Sequence, residues 1–119
     1  MKSLGDDYET QAACWLEQQG LHIVARNFRG KTGEIDLIAR DRTHLIFCEV
    51  RARSNPAFST AAGSVDRRKR QRLLRTAQLF LQRHPEMAQL PCRFDVVAFE
   101  PRQSGSSLDI RWIPGAFTA

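Results

Sequence analysis

Long apolar runs are missing from this 119-residue chain; no uninterrupted stretch exceeds a few residues. A membrane-spanning helix needs about 18, so insertion is excluded and no membrane partner is expected. Cysteine is scarce and scattered. Cys14, Cys48 and Cys92 form neither a C-x-x-C pair nor a Cys/His cluster, which argues against a disulfide frame or a zinc site and for three thiols packed in the core. Histidine is equally sparse, and His22, His44 and His84 read as surface or strand-edge residues, none placed to act as a base. Repeats and low-complexity segments are absent. The N-terminus carries Asp6 and Asp7 where a secretory signal needs its apolar stretch, so a cytoplasmic protein is expected. With 42% hydrophobic and 26% charged residues, the chain is neither disordered nor collagen-like. Its length suits one domain over residues 1–119.

Acids are missing from one segment in particular. Arg67, Arg68, Lys69, Arg70, Arg72 and Arg75 place six cations in nine residues with no Asp or Glu among them, in a chain of net charge +5. Most of the chain is therefore near neutral, and its positive charge is a local stripe. That is the electrostatic footprint of a polyanion partner, nucleic acid in the first place. A solvated helix face is the alternative, although such faces usually carry balancing acids.

The periodicity predicts seven elements in the order α-β-β-β-α-β-β. Tyr8, Ala12, Trp15 and Leu16 mark the buried stripe of a first helix over Asp6–Gln19, stopped by Gly20. Strands follow at Leu21–Arg29, Glu34–Arg40 and His44–Arg51, with Asp41-Arg42-Thr43 as a tight turn. After a small-residue loop over Asn55–Gly63, a long helix runs from Val65 to Arg83 with Leu73, Ala77, Phe80 and Leu81 inward, and His84-Pro85 ends it. Strands at Cys92–Phe99 and Leu108–Trp112 close the chain around a turn at Pro101–Ser106. The fold class is α/β, a mixed central sheet flanked by helices.

The middle hairpin carries the chemistry. Side chains alternate along a strand, so Glu34, Asp36 and Ile38 share one face, as do Leu45, Phe47, Glu49 and Arg51 on the next strand. Pairing Arg40 with Thr43 across the turn sets Glu34 opposite Glu49 and Asp36 opposite Phe47; a one-residue slip would separate the acids. Carboxylates this close raise one another's pKa, and a divalent cation such as Mg2+ or Mn2+ would relieve the repulsion. The competing reading is a structural ion-pair cluster in which Arg51 holds Glu49 and Lys31 holds Glu34. Glu9, on the margin of the first helix's buried face with Ala12, Ala13 and Leu16, is either a solvent-reaching residue or a further ligand.

Asp36, twelve intervening positions, then Glu49-Val50-Arg51 resembles the PD-(D/E)xK nuclease core, in which an acid precedes an ExK triplet on adjacent strands. More closely, the chain resembles the YraN family of small bacterial proteins, which have a restriction-endonuclease-like fold related to Holliday junction resolvases. The matching stretches are Gly5…Glu9…Ala12…Trp15-Leu16, Arg26-Asn27-Phe28-Arg29, Gly33–Ala39, Phe47–Arg51, Lys69 with Leu73, and Arg93–Val97. The resemblance implies that Asp36, Glu49, the main-chain carbonyl of Val50 and Glu9 hold a metal ion. It places Arg51 where the triplet has lysine. Arginine stays protonated at any working pH and cannot be a general base, but it can hold an attacking hydroxide or stabilise charge on a phosphate.

Two functions follow as expectations, beside a blander third class, a structural partner protein that uses the fold for protein contacts. The first is a metal-dependent endonuclease on structured or branched DNA, with Asp36, Glu49, Arg51 and Lys69 at the reacting phosphate and Arg67, Arg68, Lys69, Arg70, Arg72 and Arg75 on the backbone. Lys69, four residues before Leu73 on the inward stripe, is expected to point at the acids and work beside Arg51. The second is a nucleic-acid-binding module that keeps the fold without turnover. Resolvases act as dimers, so a homodimer belongs to the first reading, although no dimer seam is legible.

Overall fold

The computed structural model describes residues 4–52, 66–101 and 108–117. Helix α1 (Leu4–Gln18) precedes three strands, β1 (His22–Gly30), β2 (Gly33–Arg40) and β3 (Leu45–Ala52). Helix α2 (Arg67–Arg83), a short 3-10 turn (Pro85–Met87), β4 (Cys92–Pro101) and β5 (Leu108–Phe117) follow. The strands form one five-stranded sheet in the order β1-β2-β3-β4-β5. All neighbours are antiparallel except β3 and β4, which are parallel and joined through α2. The expected mixed α/β sheet and element order are therefore observed. The loop at residues 55–63 and the turn at 102–106 lie outside the described residues.

Each helix covers one face of the sheet. Ala12, Ala13 and Leu16 of α1 are buried against Leu37, Ala39, Ile46, Cys48, Val97 and Phe99. Leu73, Ala77 and Phe80 of α2 pack against Ile38, Leu45, Phe47, Phe94, Val96 and Ala98. Adjacent strand residues fall into opposite clusters, as two-residue periodicity requires. Among the described residues no helix is long and apolar enough to cross a membrane.

The β2–β3 register differs from the expected one by two residues. Arg40 pairs with Leu45, Ile38 with Phe47 and Leu37 with Cys48, so Asp36 does not oppose Phe47 and Glu34 does not oppose Glu49. The cause is the turn. Asp41 Oδ1 accepts the main-chain N–H groups of Thr43 and His44, both at 2.8 Å, and this Asx turn takes His44 out of the strand. A slip of two preserves the faces, and continuing the ladder brings Asp36 level with Glu49.

Two further expectations fail. Cys14 and Cys92 are exposed and only Cys48 is buried; Cys14 sits one position off the α1 stripe, and Cys92 opens β4 beside the chain's entry to the sheet. Strand β5 runs on to Phe117 instead of ending at Trp112. Pro114-Gly115 resembles a turn, but Gly115, at φ 60°, gives its N–H to Asp95 Oδ1 at 2.9 Å. The buried Asp95 carboxylate also accepts from Arg93 Nε and Nη2 at 2.9 and 3.0 Å and from Trp112 Nε1 at 2.8 Å. These bonds hold the strand together across its register shift between Phe94 and Val96.

Candidate active site

Alternation fails at Asp36. Ile35 and Ile38 both pack on the α2 side while Leu37 and Ala39 pack on the α1 side, so the strand turns at Asp36, between Ile35 and Leu37. On the neighbouring strand Asn27 has a φ of 52°, in the left-handed region that asparagine tolerates better than most residues. The ladder to β3 is altered at the same level. Asp36 N–H donates to Glu49 Oε2 at 3.3 Å and Val50 N–H donates to Asp36 Oδ2 at 2.9 Å. Side-chain carboxylates thus take the places of main-chain acceptors, and the two acids are held side by side where the strands part.

Glu49 is 4% exposed. Burial first, and the Asp36 charge second, push its carboxyl up to about 8, with the Asp36 N–H and the Arg51 guanidinium opposing. Two cations reach it from different elements. Lys69 Nζ, from the first turn of α2, lies 3.2 Å from Glu49 Oε1, and Arg51 Nη2 lies 3.9 Å from the same oxygen. Lys69 therefore points inward, as its place on the α2 stripe predicts. Arg51 Nε is buried without a hydrogen-bond partner.

Glu9 approaches Asp36 from α1. Burial first and the Asp36 charge second raise the pKa of Glu9, with the Asn27 side chain opposing. Glu9 Oε2 is buried with no partner. Asp36 is thus reached by Glu49 on one side and by Glu9 on the other. Among the described residues no group of three Asp, Glu, His or Cys side chains converges as a metal cage. The groups able to hold a small cation are the Asp36–Glu49 pair, with the Val50 carbonyl next in the chain and Glu9 behind Asp36.

Asp36 and Glu49, but not Glu9, lie in the wall of an open cleft of about 560 Å³, bounded by the β1–β2 turn (Lys31, Thr32, Gly33), Glu34, Lys69 and Arg72. Glu34 remains at the cleft, but its partner is Arg29, at 3.4 Å, and not Lys31; the two sit opposite each other in the β1–β2 register. Arg67, Arg68, Arg70, Arg72 and Arg75 are exposed, though not on one face. Arg72 borders the cleft, whereas the Arg70 guanidinium lies 5.4 Å from the Phe117 ring centre, toward β5. Asn27 and Gly33 fall in the matching stretches Arg26–Arg29 and Gly33–Ala39, but neither they nor Thr32 stood out as site residues. An asparagine inside a strand pattern, one residue before an aromatic that must turn inward, was the available signal.

The model of the family described as "Uncharacterised protein family UPF0102" matches residues 8–99, which spans every residue of this site. The chain belongs to the UPF0102 family. This is the YraN family that its motifs resemble. The chain is 49% identical over 116 residues to a UPF0102 protein of Alcanivorax borkumensis, covering 98% of this chain and 92% of that one. It is 45% identical over 119 residues to one of Methylobacillus flagellatus, with both chains covered in full. A UPF0102 protein of Klebsiella pneumoniae is 47% identical over 117 residues, 98% of this chain and 87% of that one. The UPF0102 match begins one residue before Glu9 and ends at residue 99, so it covers the acids, the inward lysine and Asp95, while the clamp's β5 partners Trp112 and Gly115 lie beyond it.

Proposed function

We propose that this protein is a divalent-metal-dependent endonuclease acting on structured or branched DNA. The observation that carries the reading is the Asp36–Glu49 pair, set side by side at a break in the sheet and flanked by Lys69 and Arg51. Mg2+ and Mn2+ are held through one or two carboxylates and keep several waters. Asp36, Glu49 and the Val50 carbonyl fit that requirement in kind and number, and the unpartnered Glu9 Oε2 is a spare acceptor for a water of such an ion. When bound, the ion lowers the pKa of a water and stabilises charge on phosphoryl oxygens.

The remaining chemistry belongs to the chain's own groups. Arg51 is always protonated, and its guanidinium, 26% exposed beside Glu49, stabilises a phosphate oxygen as negative charge builds in the transition state. Lys69 Nζ, already at Glu49, supplies the ammonium that the strand triplet lacks and orients the attacking water. Arg68 and Arg72, exposed on α2, hold the flanking backbone. The preference for branched DNA rests on the resemblance to Holliday junction resolvases.

One observation favours the second reading, a DNA-binding module without turnover. Lys69 and Arg51 already compensate Glu49 without a metal. Incubation of a four-way junction and a linear duplex with Mn2+, using wild type and Asp36→Asn, separates the two. The nuclease reading expects Mn2+-dependent cleavage of the junction by wild type alone. Salt-sensitive binding with no cleavage at any Mn2+ concentration would leave the binding module.

A further inference from the structure

A second groove lies across the β1–β2 turn from the acids. It measures about 380 Å³ and is lined by Lys31, Arg75, Gln78, Gln82 and Arg83, with Thr32 and Leu79 at its base. We infer that this groove is a second phosphate-backbone site, which holds a segment of duplex DNA beyond the one at Asp36 and Glu49. The inference rests on the nuclease reading and extends it from the reacting phosphate to the track of the substrate.

The turn that divides the grooves is pinned to α2. Thr32 Oγ1 and Thr76 Oγ1 are 2.8 Å apart, with Thr76 fully buried and also donating to the Arg72 carbonyl at 2.9 Å. Gly30 lies so close to Leu79 that a Cβ there would overlap its side chain. Lys31, between these two contacts, is exposed and borders both grooves. Its charge is therefore presented from a fixed point.

The two grooves differ in chemistry. The first contains Glu34, Asp36 and Glu49. The second has no acid in its lining, and among the described residues neither Lys31, Arg75 nor Arg83 has an ion-pair partner. Arg83 lies over the Phe28 ring at 5.6 Å, which limits its freedom while leaving its donors outward. Cations and carboxamides without acids suit a phosphodiester backbone and give no means of cleaving it.

The spacing joins the grooves into one path. Arg68, Arg72, Arg75, Gln82 and Arg83 fall on a single face of α2 by helical periodicity. From Lys69 to Arg83 the axis rises ~21 Å at ~1.5 Å per residue. That corresponds to about six phosphate intervals of one strand at ~3.4 Å each. A duplex seated at the acids and running along α2 would enter the second groove at Lys31 and Arg75 and reach its far end, at Arg83, more than half a turn away.

The test is a salt titration of binding to a duplex of about 30 base pairs, three helical turns. Each lost phosphate contact lowers the slope of log affinity against log salt by about 0.9, so Lys31→Gln/Arg83→Gln should lower it by roughly 1.8. Lys31→Gln alone, which leaves the Phe28 contact intact, should lower it by about 0.9. Mn2+ affinity should stay at the wild-type value in Arg83→Gln, since Arg83 borders the second groove and not the first. Arg40→Gln/Arg42→Gln, at the opposite end of β2, removes the same charge elsewhere and should leave the slope nearly unchanged. An equal effect from that control pair, or no effect of the Lys31 and Arg83 substitutions while Arg68→Gln/Arg72→Gln flattens the slope, would overturn the second site and leave the nuclease reading standing. Absence of salt-dependent binding by wild type would overturn both.

Discussion

Lys69 of α2 and Glu49 of β3 meet at 3.2 Å between Nζ and Oε1. The ammonium comes from a helix four residues before the buried Leu73, while the strand position two residues after Glu49 carries Arg51 at 3.9 Å. Both cations of the site thus converge on one carboxylate oxygen. In Lys69→Met the stem survives and the charge is lost, so the Glu49 pKa should rise further in a carboxyl-resolved NMR titration. Cleavage by that variant should lose much more in kcat than in DNA affinity, since the contact counts most in the transition state. Arg51→Lys should keep or raise the rate. Weaker binding with unchanged kcat would make Lys69 a phosphate contact only.

The raised pKa of Glu49 has a consequence for stability. Its folded-state value of about 8 lies above the ordinary 4.5, so between those values the folded protein binds more protons than the unfolded chain. Stability then falls as pH rises through that window and is greatest below it. The metal-free Tm of wild type should therefore drop between about pH 5 and pH 8 more than that of Glu49→Gln. Parallel Tm profiles for the two proteins would place the effect elsewhere.

Asp36 has two duties that different substitutions separate. Its charge serves the proposed metal centre, and its Oδ2 accepts the Val50 N–H at 2.9 Å. Asp36→Asn keeps an acceptor and removes the charge, so calorimetry should show Mn2+ binding abolished with the metal-free Tm level or raised. Asp36→Ala should also abolish binding but leave the Val50 N–H unpaired, at a cost of about 1–3 kcal/mol. Mn2+ binding to Asp36→Asn at wild-type affinity would remove Asp36 from the ligand set.

The cations of α2 should contribute unequally. Arg68→Gln/Arg72→Gln/Arg75→Gln should flatten the salt dependence of duplex binding by about 2 to 3 units of slope. Arg70→Gln should change it less, because its guanidinium lies toward the Phe117 ring. An effect of Arg70→Gln as large as that of Arg72→Gln would mean that DNA crosses α2 on the β5 side.

Asp95 is a structural acid, in contrast to Glu49. Its carboxylate receives four donors from Arg93, Trp112 and Gly115 and stands away from the cleft lining. Asp95→Ala strips partners from all of them and should cost about 3–5 kcal/mol in denaturant unfolding. Mn2+ affinity of the folded fraction should be retained. A loss below 1 kcal/mol would show that water or another group replaces the carboxylate.

The sequence by itself determined the element order, the helix stripes and, away from the break at Asp36, which strand residues share a face. Those features follow from local periodicity, with 3.6 residues per turn and alternation of two. It also determined that Lys69 points inward, because Lys69 and Leu73 are one turn apart. The two-residue register shift has a local cause, the Asp41 carboxylate drawing in the N–H groups of Thr43 and His44 two and three residues on; tertiary structure decided the remaining differences. It decided the break at Asp36 and the approach of Glu9, which depend on how α1 crosses strands far from it in the chain. It decided the continuation of β5 through Pro114 and Gly115, which needs the buried Asp95 from a strand 20 residues earlier. Cys14 and Cys92 were exposed for the same reason: burial depends on what packs opposite a residue, and that partner is not local.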